Sequence, residues 1–287
     1  MSKLIVGCGY LGSRVADLWH RDGEQVFATT RTPQNAARLA ARGWEPVVAD
    51  VTRPDTLRRL PAAETVLIAF GYDASAGHSR MEVYARGLSN LLEALGPQTN
   101  RLIYVSSTGV YGQQHGGWVT EETPCRPDRD AGRAFLAAEQ GLAEHALGSR
   151  AVVLRMAGLY GPGRVPRPRA FAAGQALAVA ADSYLNLIHV DDMAQVVLAA
   201  ARGARCPRLY LASDGHPVQR REYFRYLAEL MGVPEPRFVE PDPRAASEAR
   251  GGGSKRVSHA RLQSELGVVF EWSSYREGLA ALLGRGS

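Results

Sequence analysis

Lys3-Leu4-Ile5-Val6-Gly7-Cys8-Gly9-Tyr10-Leu11-Gly12 is the stretch on which the fold turns. Leu4 to Val6 is an apolar run too short for a helix and suited to a buried parallel strand. It breaks into Gly7-x-Gly9-x-x-Gly12, and a helical pattern of Val15, Leu18 and Trp19 follows at once. Strand, glycine turn and helix in that order give the motif a dinucleotide-binding context. One glycine permits the tight turn, one lets the backbone approach a pyrophosphate, and one lets helix and strand pack closely. The helix would point its unpaired N–H groups and positive dipole end at the phosphates.

Outward from this turn, short apolar strands alternate with helical segments. Strands are expected at Gln25–Thr30, Glu45–Ala49, Thr65–Phe70, Arg101–Ser106, Ala151–Met156 and Arg208–Ala212. Helices are expected at Pro33–Arg42, after Thr52 as a cap, at Ser79–Leu95, Ala131–Ala146, Met193–Ala201 (capped by Asp191 or Asp192) and Arg220–Met231. That alternation means βαβ units, hence an α/β fold with a doubly wound, Rossmann-like parallel sheet. Beyond Gly158 the pattern loosens into a Pro/Arg-rich passage, an Ala-rich helix to about Ala181 and a short strand at Leu185–Val190. A glycine-rich loop at Asp242–Ser254 and helices near His259–Glu265 and Tyr275–Leu283 follow. The expected division is a dinucleotide-binding domain over 1–160 and 185–215. A smaller C-terminal α/β substrate lobe takes 161–184 and 216–287.

The end of the second strand bears on the nucleotide. An acid about twenty residues beyond the glycines holds the ribose hydroxyls in NAD-preferring proteins. Here the sequence reads Thr29-Thr30-Arg31-Thr32. Arg31 offers a guanidinium fork to a 2′-phosphate, and no neighbour in sequence is a carboxylate. The expectation is NADP, with NAD as the alternative.

The totals fit a globular protein: 287 residues, 45% hydrophobic and 22% charged. No run approaches a membrane span, and the N-terminus enters a strand without a signal-peptide pattern. The formal net charge is +5, but the basic residues are nearly all Arg and scattered, which points to a phosphorylated small molecule and away from nucleic acid. Three cysteines (Cys8, Cys125, Cys206) without a CxxC argue against a zinc site or disulfide framework and for a cytoplasmic setting. Lysine occurs only at Lys3 and Lys255.

Four ordered segments resemble the extended short-chain dehydrogenase/reductases, the type grouped with NAD-dependent epimerases and dehydratases. They are Asp50-Val51 after the third strand, Val105-Ser106-Ser107-Thr108-Gly109-Val110-Tyr111-Gly112, Leu154-Arg155 through Gly158-Leu159-Tyr160-Gly161-Pro162-Gly163, and Ile188-His189-Val190-Asp191-Asp192. The GxGxxG spacing is that of an atypical subgroup. The resemblance implies a cofactor cleft formed by Gly7, Gly9, Tyr10, Leu11, Gly12, Arg31, Asp50, Val51, Phe70, Gly71, Ser106, Ala157, Gly158 and Leu159. It implies a substrate mouth near Tyr160, Arg164 and His189.

In that family a tyrosine moves the proton, a lysine four residues on maintains its low pKa, and a Ser or Thr orients the substrate oxygen. Ser107 stands at the Ser/Thr position. The tyrosine and lysine positions are Ala131 and Phe135, and neither Lys3 nor Lys255 follows a tyrosine at that spacing. Tyr111 is a candidate replacement acid, with loop packing as its alternative. His115 reads as surface, and Arg155 as either an anion-binding or a salt-bridging group. The resemblance implies an oxidoreductase, epimerase or dehydratase with an atypical site, acting on a small polar substrate such as a nucleotide sugar. A cofactor-binding sensor or scaffold without catalysis is the other reading. Related proteins pair into homodimers through the helices corresponding to Ser79–Leu95 and Ala131–Ala146, and the sequence leaves oligomeric state open.

Overall fold

The computed structural model describes residues 1–167, 171, 173–240 and 253–284. Seven strands form one sheet: β1 (Ser2–Val6), β2 (Gln25–Thr30), β3 (Glu45–Val48), β4 (Thr65–Ile68), β5 (Arg101–Ser107), β6 (Ala151–Met156) and β7 (Arg208–Ala212). Their spatial order is β7-β6-β5-β4-β1-β2-β3, and every pairing is parallel. The chain order reverses between β1 and β4. In open parallel sheets a ligand crevice lies outside the carboxyl ends of the strands at such a reversal.

The central strands are apolar on both faces because helices cover both. Ile5, Leu67 and Ile103 enter one core with Val15, Trp19, Val196 and Ala200. Their neighbours Leu4, Val6, Val66, Ile68, Leu102 and Tyr104 enter the other, with Leu88, Leu91, Ala134 and Leu142. Period-two alternation thus distributes a continuous hydrophobic run between two cores. The helices responsible are α1 (Gly12–Arg21), α2 (Pro33–Ala40), α3 (Pro54–Leu57), α4 (Gly87–Ala94), α5 (Asp130–Glu144) and α6 (Val190–Gly203). At the edge, β3 exposes Glu45 and Pro46, and a proline there does not interrupt a ladder on both sides.

Several local expectations are corrected. The helix expected from Ser79 begins with a capping box: Glu82 N donates to Ser79 Oγ (3.1 Å) and Ser79 N to Glu82 Oε2 (2.7 Å). It then widens into a π-turn over Glu82–Arg86 before α4. Thr52 does not cap α3; its hydroxyl donates to Asp50 Oδ1 at 2.8 Å, and Arg53 precedes the helix. Neither Asp191 nor Asp192 caps α6. His189 precedes it, and its Nδ1 accepts from Asp191 N at 3.3 Å. The Ala-rich stretch is not helical over 173–181, where Leu177–Ala178 is a short strand beside Phe238–Val239. The loop expected over Asp242–Ser254 lies outside the described residues from 242 to 252.

The smaller lobe has its own core around Tyr160, Leu187, Tyr223, Phe224, Tyr275 and Leu279, contributed partly by α7 (Arg220–Met231) and α9 (Tyr275–Leu283). Helix α8 (Ala260–Leu266), expected within that lobe, buries Leu262 in the core of the large sheet instead. A two-residue ladder, Trp118–Val119 against Arg256–Val257, joins the loop after β5 to the C-terminal region. Among the described residues no helix is long and apolar enough to cross a membrane.

Candidate functional site

The carboxyl ends of β1, β2 and β4 surround a cavity of about 370 Å³ at the strand-order reversal. The glycine turn forms one wall, and each glycine there has a distinct reason. Gly7 has φ +99°, and a Cβ on it would lie 2.4 Å from the Phe70 backbone. A Cβ on Gly12 would lie 2.4 Å from the Gly7 carbonyl oxygen, so the helix could not start so close to the strand. Gly9 has no heavy atom within 4 Å of where its Cβ would be, so its bare backbone faces open space. Two glycines serve packing, and one leaves room for a ligand. Thr29 Oγ1 holds the turn by accepting from Gly7 N at 3.0 Å. This arrangement fits a dinucleotide pyrophosphate at the N-terminus of α1.

Arg31, Asp50, Val51, Phe70 and Gly71 line the same cavity. Asp73 also lines it, and the sequence reading missed it. Its Oδ2 accepts from Arg31 Nη2 at 2.9 Å, while Oδ1 accepts from Ser75 N (3.0 Å) and Ser75 Oγ (2.6 Å). Arg31 therefore does have a carboxylate beside it, supplied from 42 residues away. The Ser75 bonds and then Arg31 hold the Asp73 carboxyl down to about 2, so it stays ionised. Tyr10 lies next to the turn, with its hydroxyl donating to Pro162 O at 3.0 Å and the guanidiniums of Arg14 and Arg164 over its ring. Leu11, Ala157 and Leu159 bury their side chains, leaving only backbone groups for a ligand, while Gly158 is exposed.

Ser107 ends β5 on this same edge of the sheet. The β4–β5 ladder runs to Ile68 against Tyr104, and Ser107 lies three residues further along β5, on the carboxyl edge of the sheet where the cavity opens but not among the residues that line it. Its Oγ accepts from Gly109 N at 3.0 Å, and the residue remains half-buried. Ser106, by contrast, faces inward and donates to Glu139, so its side chain does not reach a cofactor. Glu139 also takes a forked pair from Arg155, and Arg155 Nη1 donates to Tyr111 Oη at 2.6 Å. The Tyr111 hydroxyl in turn donates to Thr120 O at 2.9 Å. Arg155 and Glu139 are both under 10% exposed, so this is a buried structural network spanning β5, α5 and β6.

That network decides between the alternatives the sequence left open for two residues. Tyr111 is 1% exposed and its hydroxyl is fully engaged. Burial pushes it up to about 12 against the opposing pull of Arg155. It is a packing residue and not the replacement acid. Arg155 is a salt-bridging residue. The substrate-mouth candidates are corrected as well. Tyr160 is fully buried in the lobe core, its ring stacked edge-on against His189. His189 is 2% exposed between Tyr160 and Trp272, and burial lowers its pKa. Arg164 is exposed and leans on the ring of Tyr10, beside the glycine turn. His115 is exposed, as expected.

Helix α5 carries Ala131 and Phe135 in its first turns. The Phe135 ring stacks on Tyr84 with centroids 4.1 Å apart, and Tyr84 stacks in turn on Phe70. The place where the resemblance would put a lysine is filled by an aromatic ladder leading to the cavity wall. An ammonium does approach from elsewhere: Lys255 Nζ donates to Tyr111 O at 2.9 Å. Nothing in its local sequence signals this.

Comparisons with known proteins agree with this geometry. Residues 4–211 match the NAD dependent epimerase/dehydratase family. The chain is 30% identical to Protein YeeZ of Escherichia coli (strain K12) over 278 residues, 93% of this chain and 95% of that one. It is 31% identical to the solved structure of a functionally unknown conserved protein from Silicibacter pomeroyi, with a TM-score of 0.79 over 99% and 98% of the two chains. Thermus thermophilus UDP-glucose 4-epimerase, solved in complex with NAD, superposes with a TM-score of 0.80 over 100% of both chains at 21% identity, a likeness of fold. With its glycine turn, its strand order and its cavity at the reversal, the chain is an NAD(P)-binding protein of the epimerase/dehydratase type and belongs to the NAD dependent epimerase/dehydratase family.

Proposed function

We propose that the chain is an NADP-preferring oxidoreductase, or an epimerase or dehydratase, acting on a small polar substrate, with nucleotide sugars among the candidates. The observation that carries this reading is Ser107 at the carboxyl end of β5, on the same edge of the sheet as the cavity, where a hydroxyl could orient a substrate carbonyl or alcohol. Gly9 and the start of α1 would hold the pyrophosphate, and Asp50, Val51 and Phe70 the adenine. When bound, the nicotinamide supplies or accepts a hydride. The NADP preference is supported by Thr29 and Thr30 standing where an NAD-binding acid would be, and by Arg31 lining the cavity. A 2′-phosphate would exchange Asp73 for a more highly charged partner on the same guanidinium. The three cysteines are free, which supports a reducing, cytoplasmic setting.

A calorimetric titration with NADPH, NADP, NADH and NAD tests the cofactor assignment. The expected result is tighter binding of the phosphorylated pair, with the difference abolished in Arg31→Ala. Equal binding of both pairs by the wild type would remove the NADP preference. The aromatic filling of the Phe135 position favours one second reading, a cofactor-binding sensor without catalysis. Turnover of any substrate that is lost in Ser107→Ala would remove that reading.

A further inference from the structure

The chemistry expected of this family needs a proton donor at the substrate oxygen, and Ala131, Phe135 and the engaged Tyr111 cannot provide one. We propose that Lys255, carried into the site by the C-terminal region, is the catalytic acid–base group, meeting the substrate oxygen that Ser107 orients. This assignment rests on the enzyme reading above.

Its geometric basis is the way residues 253–257 are laid along the loop that follows Ser107. Ser254 N donates to Gln113 O (3.1 Å), Gly116 N to Ser254 O (2.8 Å) and Arg256 N to Gly117 O (2.8 Å). On the other side the Asn186 amide holds the lysine's own carbonyl and the N–H two residues on, donating to Lys255 O (2.8 Å) and accepting from Val257 N (2.7 Å). A segment bonded along both edges has little freedom, so the lysine stem is aimed rather than free to wander. The ammonium reaches the Tyr111 carbonyl, one tight turn beyond Ser107.

The same turn abuts the start of α5. A Cβ on Gly112 would meet Arg126 O at 2.1 Å, and one on Gly132 would meet Gly109 O at 2.2 Å. Lys255 therefore reaches the end of the turn after Ser107, and that turn packs against the segment entering α5. Among the described residues, the charged groups that face it are Asp128 and Arg129 before α5, and Arg220 at the start of α7. Burial is the main influence on the amine, and the two guanidiniums outnumber the one carboxylate. Together they bring it down to about 8. An amine in that range can both release and take up a proton near neutral pH, which an arginine cannot.

In the reductive direction a substrate carbonyl carbon gains a hydride, which the reduced cofactor supplies, and the C=O π pair becomes a lone pair on oxygen. The Lys255 ammonium gives its proton to that oxygen, leaving an alcohol and a neutral amine, and water returns the proton to the amine. In the oxidative direction the neutral amine takes the alcohol proton. Reduction should accordingly fall as pH rises through about 8 and oxidation should rise.

The chain's two lysines make a direct test practical. Reductive methylation with 13C-formaldehyde labels Lys3, Lys255 and the terminal α-amine, Lys255→Arg identifies the Lys255 signal, and NMR titration reads each one with the protein bound to NADP or to NADPH. The oxidised ring carries one more positive charge, so Lys255 should titrate at least half a unit lower with NADP than with NADPH, as expected for charges about 10 Å apart at an effective dielectric of about 40. Lys3 should not respond. Identical Lys255 titrations in the two complexes would overturn the proposal. In parallel, Lys255→Met and Lys255→Arg should bind NADPH within threefold of wild type. Both should lose about a hundredfold or more in the reduction of acetoin, dihydroxyacetone or phenanthrenequinone, together with the pH limb near 8. Rescue by Lys255→Arg would mean that only the charge matters and would overturn proton transfer. A wild-type protein that binds NADPH but reduces none of these probes would defeat the oxidoreductase reading and this assignment with it. A protein that binds neither cofactor would defeat the nucleotide site itself.

Discussion

Replacing the three glycines of the nucleotide turn one at a time separates folding from phosphate binding. In Gly9→Ala the new methyl meets nothing within 4 Å, and Gly9 is not among the glycines with positive φ. Such a substitution leaves the protein as stable as before, or more stable by about 0.4–1 kcal/mol, because alanine restricts the unfolded chain. Gly7→Ala places a methyl 2.4 Å from the Phe70 backbone at φ +99°, and Gly12→Ala places one 2.4 Å from the Gly7 carbonyl. Both contacts are to backbone and cannot be relieved by a rotamer change. A cost of about 1–3 kcal/mol is expected at Gly7 from the backbone conformation alone, before the clash is counted. The Gly9 methyl occupies the space into which the backbone N–H groups open, so a pyrophosphate must withdraw from one or two charge-assisted hydrogen bonds. At about 1.5–3 kcal/mol each, their loss weakens NADPH binding by roughly tenfold to several hundredfold or more. Urea denaturation gives the stability and calorimetry the affinity. Gly9→Ala should keep the wild-type denaturation midpoint and lose the ligand. A Gly9→Ala protein that binds NADPH as the wild type does would refute the reading of the open space as the phosphate site.

Further outcomes follow from other contacts. Glu139→Gln leaves Arg155 buried without its countercharge and should destabilise by about 3–5 kcal/mol in denaturant melts, whereas Glu139→Leu with Arg155→Met should recover most of that loss. Burial raises the Asp214 carboxyl to about 7 and the Asp192 carboxyl to about 6. Acids raised above their unfolded value favour the protonated folded state, so stability should decline as pH rises from about 4 to 7 and the full cost should persist above that. Thermal melts between pH 5 and 8 should show the decline in the wild type and a flatter curve in Asp214→Asn; equal slopes would disprove the linkage. Asp73→Asn frees Arg31 from an exposed ion pair and should tighten NADPH by about two- to fivefold while leaving NADH unchanged, as read by calorimetry.

What the sequence disclosed and what it hid divide along a physical line. Gln25–Thr30, Ala151–Met156, Arg208–Ala212, Arg220–Met231 and Tyr275–Leu283 are recovered to the residue, because burial imposes a local period that each segment carries within itself. The glycine turn was legible for the same reason. Side-chain partnerships between distant segments leave no such trace. Asp73 reaches Arg31 across 42 residues, and Lys255 reaches Tyr111 across 144. Tyr111 reads in sequence as either a replacement acid near Ser107 or a packing residue of its loop, and only the folded chain shows that Arg155 and Thr120 claim it. The Ala-rich stretch before Ala181 failed for a different reason: helix propensity is weak, and pairing of Leu177–Ala178 with Phe238–Val239 overrides it.

The ladder between Trp118–Val119 and Arg256–Val257 also orders events during synthesis. Strands β1 to β5 and the glycine turn are complete well before the segment that holds Lys255 is translated. The glycine turn and the two groups proposed to act on the substrate oxygen are thus supplied by stretches far apart in the chain. Contacts of such long range form slowly and late, after the costly closure of a large loop. Under the proposed assignment, the groups that move a proton therefore meet only after this late ladder has closed.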